Sequence, residues 1–293
     1  MLTPVMGAEV RLPNGVDPIL ADTCRAAATA AATAWKTMTR DELAREEKTG
    51  ADGTPTMLID QFVEDAILAE AHRHRVNVLS EEVGFVDNGS ARTLVVDPLD
   101  GSANAAAGVP LSCFSAAIVE DGNPVEALSF WLEGGAVTWA RLGEQPDFRT
   151  SRRTSLNGSA LSMLRPKLGP LGDSTPAWLD LCGRAARIRV LSTSCLEAML
   201  VADGSIDAFA DPGSDTHRIV DLIAAMVLVP AAGGWVQDAL GRELTVSTDL
   251  TLRYSGVVAA SRELADEISE LIAAQTHSSA AVIPAVLEST DIR

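Results

Sequence analysis

Apolar positions along this chain fall into two rhythms. Over residues 17–45, Ala, Leu and Arg are set out with helical periodicity, which predicts one long helix. Residues 48–55 (KTGADGTP) interrupt it with two glycines and a proline in a polar run, the signature of a loop. Ile59, Val63, Ile67 and Leu68 then resume helical spacing and predict a second helix over 57–72. From there the pattern shortens to apolar runs bounded by turn residues. Strands are expected at 77–79, leading into Ser80-Glu81-Glu82, and at 93–96, ending at Asp97-Pro98. Further strands are expected at 112–119, 126–131 and 136–141, with a turn at Asp121-Gly122-Asn123-Pro124, as an antiparallel sheet.

Residues 150–167 are polar and divide an N-terminal half, 1–150, from a C-terminal half, 151–276. Beyond the divide, strands at 187–191, 207–210 and 256–260 alternate with helices at 194–202, 221–232 and 262–274. Gly233-Gly234 stops the second of those helices, because glycine takes the left-handed conformation cheaply. Residues 277–293 read as a loose tail. Helices preceding a strand run, then alternation, give an α/β (α+β) class with two sheets.

Charge changes the picture. Forty acidic residues against 23 basic ones leave a formal charge of −17, which argues against a nucleic-acid polymer or an anionic membrane as partner. An anionic small molecule would also be repelled unless bound divalent cations reversed the field locally. The apolar run 222–236 is broken by Pro230 and the Gly pair, too short to span a bilayer, and the N-terminus has no basic segment followed by an apolar one. Cys24, Cys113, Cys182 and Cys195 form no C-x-x-C pair and read as thiols of a cytoplasmic protein.

Candidate chemistry sits in Leu94-Val95-Val96-Asp97-Pro98-Leu99-Asp100-Gly101-Ser102. An apolar strand delivers Asp97, Pro98 fixes φ, and the turn lets Asp97, Asp100 and the Leu99 carbonyl converge. Two carboxylates and a carbonyl are hard oxygen ligands of the kind Mg²⁺ prefers. Gly101 permits close backbone approach, and Ser102 can open a helix whose free amides suit a phosphate. The same residues also suit an ordinary strand-to-helix turn capped by Asp100. Asp60 at a helix start, Glu81-Glu82 after a strand and Asp221 at the head of an Ala-rich helix are the other acids of interest.

Taken in order, Asp60, Glu81-Glu82, Asp97-Pro-Leu-Asp-Gly-Ser and Asp221-x-x-Ala-Ala resemble the metal-binding pattern of the inositol monophosphatase superfamily. That superfamily includes fructose-1,6-bisphosphatases and phosphoadenosine-phosphate phosphatases. Asn157-Gly158, the stretch 201–209 (VADGSIDAF), 231–234 (AAGG) and 256–261 (GVVAAS) extend the likeness. The resemblance implies a layered αβαβα sandwich and Mg²⁺-dependent, lithium-sensitive hydrolysis of a small phosphomonoester by two or three ions. It implies a first metal on Glu81, Asp97 and the Leu99 carbonyl, and a second on Asp97, Asp100 and Asp221. A third ion would sit near Glu81. Asp60 and Ser102 would orient and deprotonate the attacking water, and the Gly101 and Ser102 amides would grip the phosphate. Ser194 and Asp211 align with substrate-contacting positions, and Lys48 with a loop lysine near the site. Relatives are commonly homodimers.

Four departures from the family pattern bear on substrate. Val220 replaces a tryptophan, residues 211–220 are longer than usual, Ala105 replaces a phenylalanine, and Ala231 stands where a glutamate is usual. Inositol phosphate is the default substrate; histidinol phosphate, fructose 1,6-bisphosphate and a 3′-phosphonucleotide are alternatives, as is a non-catalytic, metal-binding regulatory role. Arg218, in the altered loop, reads either as a contact to a second substrate anion or as a solvated arginine, and His217 as a proton donor or a plain loop residue.

Overall fold

Asp17 starts the first helix by accepting a hydrogen bond from Ile19 N at 2.8 Å, with Pro18 in the first turn where its missing N–H costs nothing. The computed structural model describes residues 7–280, with side chains to 275. Helix α1 (Pro18–Thr37) buries Leu20, Cys24, Ala27, Ala31 and Ala34. It ends earlier than its composition suggests. Met38 is extended, and Thr39 with Glu42 forms a capping box that opens a separate short helix, α2 (Arg40–Leu43). The stretch expected to be only a loop is a hairpin, β1 (Glu46–Thr49) against β2 (Pro55–Met57), with the loop confined to its tip. Every residue of β1 is exposed, so it carries no alternation from which a strand could be read. Helix α3 (Leu58–His74) follows and packs on α1.

The first sheet runs β4-β3-β5-β6-β7-β8, from β3 (Asn77–Ser80), β4 (Gly84–Val86), β5 (Arg92–Asp100), β6 (Cys113–Glu120), β7 (Asn123–Trp131) and β8 (Val137–Arg141). It is antiparallel, as expected for β6, β7 and β8, except that β3 and β5 pair parallel. Between β5 and β6 lies helix α4 (Ser102–Ala107). The second sheet contains β9 (Ala160–Met163), inside a stretch whose polarity concealed it, and a two-residue pair, β10 (Leu168–Gly169) with β11 (Gly172–Asp173), lies beside it. Helix α5 (Thr175–Arg184), β12 (Arg187–Arg189), α6 (Ser194–Ala202), β13 (Ala208–Ala210), α7 (Ile219–Leu222), α8 (Ala225–Ala231), β14 (Trp235–Asp238) and β15 (Gly256–Ala259) complete it, in the mixed order β12-β9-β13-β15-β14. The helix expected over 221–232 is thus two, α7 and α8, and α5 and β14 went unread. Helix α9 (Arg262–Ala280) continues through four residues assigned to the tail; 281–293 lie outside the described residues.

Five layers result. α1 and α3 cover one face of the first sheet through Leu94, Val96, Ile118 and Leu128. α6, α7 and α8 fill the space between the sheets, against Leu79, Val95 and Ala117 on one side and Phe209 and Val258 on the other. α5 and α9 close the far face of the second sheet around Leu161, Leu181 and Ile268. The αβαβα sandwich is therefore the observed architecture. Burial on both faces explains why β5 reads as a continuous apolar run.

Candidate active site

Alternation along β5 puts Leu94 and Val96 on the α1/α3 face and Val95 on the inter-sheet face. An unbroken strand would place Asp97 and Asp100 on opposite faces. The register shifts between them: Asp97 pairs with Ser115 and Asp100 with Cys113, so three steps on β5 oppose two on β6. This one-residue bulge turns Leu99 into the α1/α3 core and brings Asp100 to the side of Asp97. Gly101 then takes φ +84°, where an added Cβ would meet Leu111 O at 2.6 Å, so glycine is required both for conformation and for room. In α4 the first amide bonded to the turn is Ala105 N, to Gly101 O at 3.0 Å.

The carboxylates converge from separate elements. Oxygens of Glu81, Asp97 and Asp221 lie within 4.8 Å of one another, as do atoms of Asp97, Asp100 and the Cys195 thiol. Asp100 Oδ2 accepts from Thr193 Oγ1, from Cys195 N at 2.9 Å and from Leu196 N at 3.3 Å, which leaves Oδ1 for the cleft. Asp97 Oδ1 accepts from Leu99 N at 3.2 Å. Ser102 Oγ donates to Leu99 O at 3.0 Å. Asp60 Oδ2 accepts from Met57 N at 3.1 Å, while its buried Oδ1 has no hydrogen-bond partner among the described residues.

One cation lies among these acids. Arg218 donates through Nη1 to Asp52 Oδ2 at 2.5 Å and through Nη2 to Asp221 Oδ1 at 2.9 Å, and it pairs with Glu81. It is not a solvated loop arginine: its side chain is only 17 % exposed. Burial raises Asp221, but the charge and hydrogen bonds of Arg218 outweigh it and hold this carboxyl below its ordinary value. The others have no such relief. Burial, then the neighbouring acids, push Glu81 and Asp97 well up despite Arg218. Burial lifts Asp60 and Asp100 each to about 6 and Glu82 to about 7. A cluster with this surplus of buried acid, all oxygen donors at close range and an orphaned oxygen on Asp60, fits hard divalent cations.

Asp60, Glu81, Asp97, Leu99, Asp100, Gly101 and Ser102 line one cleft of about 310 Å³, with Asp52, Lys167, Arg218 and Arg253. Asp221 stands against its acids. Ser194 and Asp211 are not in its lining. Asp211 is fully buried and accepts from Gly213 N, Ser214 N and Thr216 N, shaping the 211–218 loop. His217 Nδ1 accepts from Gly256 N at 3.1 Å, so Nε2 faces Ser194 Oγ at 3.2 Å as donor. Together these bonds fix the 211–218 loop against the start of α6. Lys48 lies 3.9 Å from Glu64 and is likewise absent from the lining. Two participants carried no sequence signal: Asp52 at the hairpin tip and Thr193 on Asp100. Asn104, which closes the family-like segment Asp100-Gly-Ser-Ala-Asn, donates to Leu111 O at 3.0 Å and Leu191 O at 2.8 Å.

A profile described as the inositol monophosphatase family matches residues 16–280. The chain belongs to the inositol monophosphatase family. It is 35 % identical over 225 residues to a fructose-1,6-bisphosphatase/inositol-1-monophosphatase of Thermococcus kodakarensis, covering 76 % of this chain and 84 % of that one. A protein of the same description from Methanothermobacter thermautotrophicus is 34 % identical over 244 residues, covering 77 % and 86 %. Among solved structures, an inositol monophosphatase–fructose 1,6-bisphosphatase (the MJ0109 gene product) superimposes with TM-score 0.75 at 26 % identity, over 87 % of this chain and 99 % of that one. The Bartonella henselae suhB protein gives TM-score 0.72 at 22 % identity over 87 % and 96 %, a likeness of fold. The chain is accordingly a phosphoric monoester hydrolase, in a family of metal-dependent phosphatases of small phosphorylated substrates. Among the described residues no helix is long and apolar enough to cross a membrane.

Proposed function

We propose that this member is a Mg²⁺-dependent phosphatase of a small sugar or polyol phosphate. The observation that carries the reading is the bulge in β5, which sets Asp97 and Asp100 side by side opposite Glu81 and Asp221. Glu81, Asp97 and the Leu99 carbonyl would hold one ion, and Asp97, Asp100 and Asp221 another. Bound Mg²⁺ would supply charge neutralisation of the phosphoryl group and the leaving oxygen. Closely related chains that bear the double name fructose-1,6-bisphosphatase/inositol-1-monophosphatase support a sugar- or polyol-sized substrate.

The protein's own groups have definite work. The amides of Gly101 and Ser102, at the open start of α4, receive the phosphoryl oxygens. Asp60, lifted by burial to about 6, is still largely ionised at pH 7 and close enough in pKa to exchange protons there. It takes a proton of the attacking water, with Ser102 Oγ orienting that water. Thr193 and the amides of α6 hold Asp100 in place by its Oδ2, so its geometry survives substrate exchange. In-line displacement asks little covalent work of the protein; positioning and electrostatics suffice.

The test is phosphate release from a panel: inositol 1-phosphate, fructose 1,6-bisphosphate, histidinol phosphate and phosphoadenosine phosphate, with Mg²⁺, with EDTA and with added Li⁺. Release that needs Mg²⁺ and is suppressed by Li⁺ is expected for a sugar or polyol ester. Release that persists in EDTA, or none while calorimetry finds Mg²⁺ bound, overturns the reading.

A further inference from the structure

Arg218 holds two acids at once, and they are acids that different ions would use. Asp221 is gripped hardest. Its Oδ2 accepts from Arg218 N at 2.6 Å and from Nε at 3.1 Å, and its Oδ1 accepts from Nη2 at 2.9 Å. A carboxylate offers about four acceptor positions, so one is left, on Oδ1 beside Nη2. Glu81 Oε2 pairs with Nη1 of the same guanidinium. On the assignments proposed above, Glu81 belongs to the ligand set of one ion and Asp221 to that of the other. A single side chain thus touches both sets, whose oxygens lie within 4.8 Å of one another and of Asp97.

Arg218 also has a partner to keep. Nη1 donates to Asp52 Oδ2 at 2.5 Å, and Asp52 lies in neither ligand set. That carboxylate is fixed by other bonds. Its Oδ1 accepts from Thr54 N at 2.8 Å and from Thr54 Oγ1 at 2.9 Å, and Arg253 Nη2 donates to the Asp52 carbonyl at 2.7 Å. The guanidinium can let go of Glu81 and Asp221 and still face an anion, so no buried charge is stranded. A Mg²⁺ ion on the same oxygens would meet it across one carboxylate, and two cations at that range repel strongly where solvent is scarce. The two-pronged pairing with Asp221 is itself a strong contact for an ion to displace.

We infer, on the metal-ligand reading above, that Arg218 is a built-in competitor of Mg²⁺: guanidinium and ion exclude one another at Asp221 and Glu81, and this exchange sets the Mg²⁺ concentration at which the cleft loads. Ion binding moves the guanidinium off these two acids and leaves it on Asp52. The same acids without Arg218 fill at much lower Mg²⁺.

The test is Mg²⁺ binding by the full chain, followed by calorimetry without substrate. Arg218→Met should tighten it by about 10–100-fold, the range for removing competing hydrogen bonds to a charged group. Arg218→Lys keeps the charge but loses the two-pronged grip and should fall between. Lys167→Met removes another cation of the same cleft lining, one not bonded to Asp221 or Glu81, and should change the affinity no more than a few-fold. Equal tightening by Lys167→Met would reduce the effect to general charge and overturn the competition. So would an affinity in Arg218→Met that equals or falls below that of wild type. A second readout uses wild type itself. The Nε–H resonance of Arg218, identified by its absence from Arg218→Lys, should shift and lose protection from solvent exchange as Mg²⁺ is added, with the calorimetric midpoint. A resonance unmoved and still protected at saturating Mg²⁺ overturns the exchange, whether or not Arg218→Met folds. If neither wild type nor Arg218→Met binds Mg²⁺, the metal reading fails and the competition falls with it; Mg²⁺ bound equally by both sinks the competition alone.

Discussion

Arg218 places a single guanidinium among Asp52, Glu81 and Asp221, three acids from three separate segments. Removing one partner of a buried ionic cluster strands the rest, at a cost of about 3–5 kcal/mol. Arg218→Met should therefore lower the stability of the metal-free protein by that order, and Mg²⁺ should recover part of it. The check is thermal denaturation with and without Mg²⁺: the metal-induced rise in Tm should be larger in the variant. Protonation provides a second test. Glu81, Asp97 and Asp100 sit above their ordinary values when no cation is present, yet a cation requires them ionised. Mg²⁺ binding near pH 6 should release protons and tighten as pH rises, measurable by calorimetry in buffers of different ionisation enthalpy. At this scale the metal-side acids were legible because each falls in a local motif. Arg218 was visible but misplaced between substrate and solvent. Thr193 and Asp52 were not legible at all, since their partners lie 93 and 166 residues away along the chain and nothing in their own neighbourhoods marks them.

Helix α6 carries a carboxyl that no ligand explains. Glu197 is fully buried, accepts from Ser162 Oγ and from Thr193 N at 3.2 Å, and so braces the residue that clamps Asp100. Burial raises it from 4.5 to about 8. Between those values the folded chain holds a proton that the unfolded chain has released, so stability falls as pH rises through that window and levels off above it. Glu197→Gln should remove this slope. It should match wild type near pH 5 and exceed it by a few kcal/mol, of the order of 4, near pH 8, as read by urea denaturation at the two pH values. The elements themselves were legible wherever one face is buried. β5 to β8 and α6 were found because burial writes a pattern. β1 was not, because it is exposed along its length, and β9 was hidden by serines that the fold buries. The break after α1 was written in Thr39-x-x-Glu42, a capping box passed over because an alanine-rich helix appeared to continue through it.

The whole molecule is acidic, and an anionic substrate meets that field before it meets the cleft. Raising ionic strength from about 0.01 to 0.15 M shortens the screening length from roughly 30 to 8 Å, which muffles a net charge of −17 more than it muffles cations in contact with a ligand. At saturating Mg²⁺, kcat/KM should therefore rise a few-fold over that range; a fall would mean that the cations lining the cleft, not the net charge, govern approach. The order of layers was inferable only through the family resemblance, because strand order and the parallel β3–β5 pair leave no mark in local periodicity. The bulge in β5 has a consequence of another kind. Two aspartates three positions apart belong back to back on a strand, and a single surplus residue makes them neighbours. The chemistry of this fold is thus set by parity. A strand of the same length that paired without the bulge would still occupy its place in the sheet, yet it would aim a carboxylate into hydrocarbon. Changes that slip the register at this strand should be less tolerable than most changes of residue.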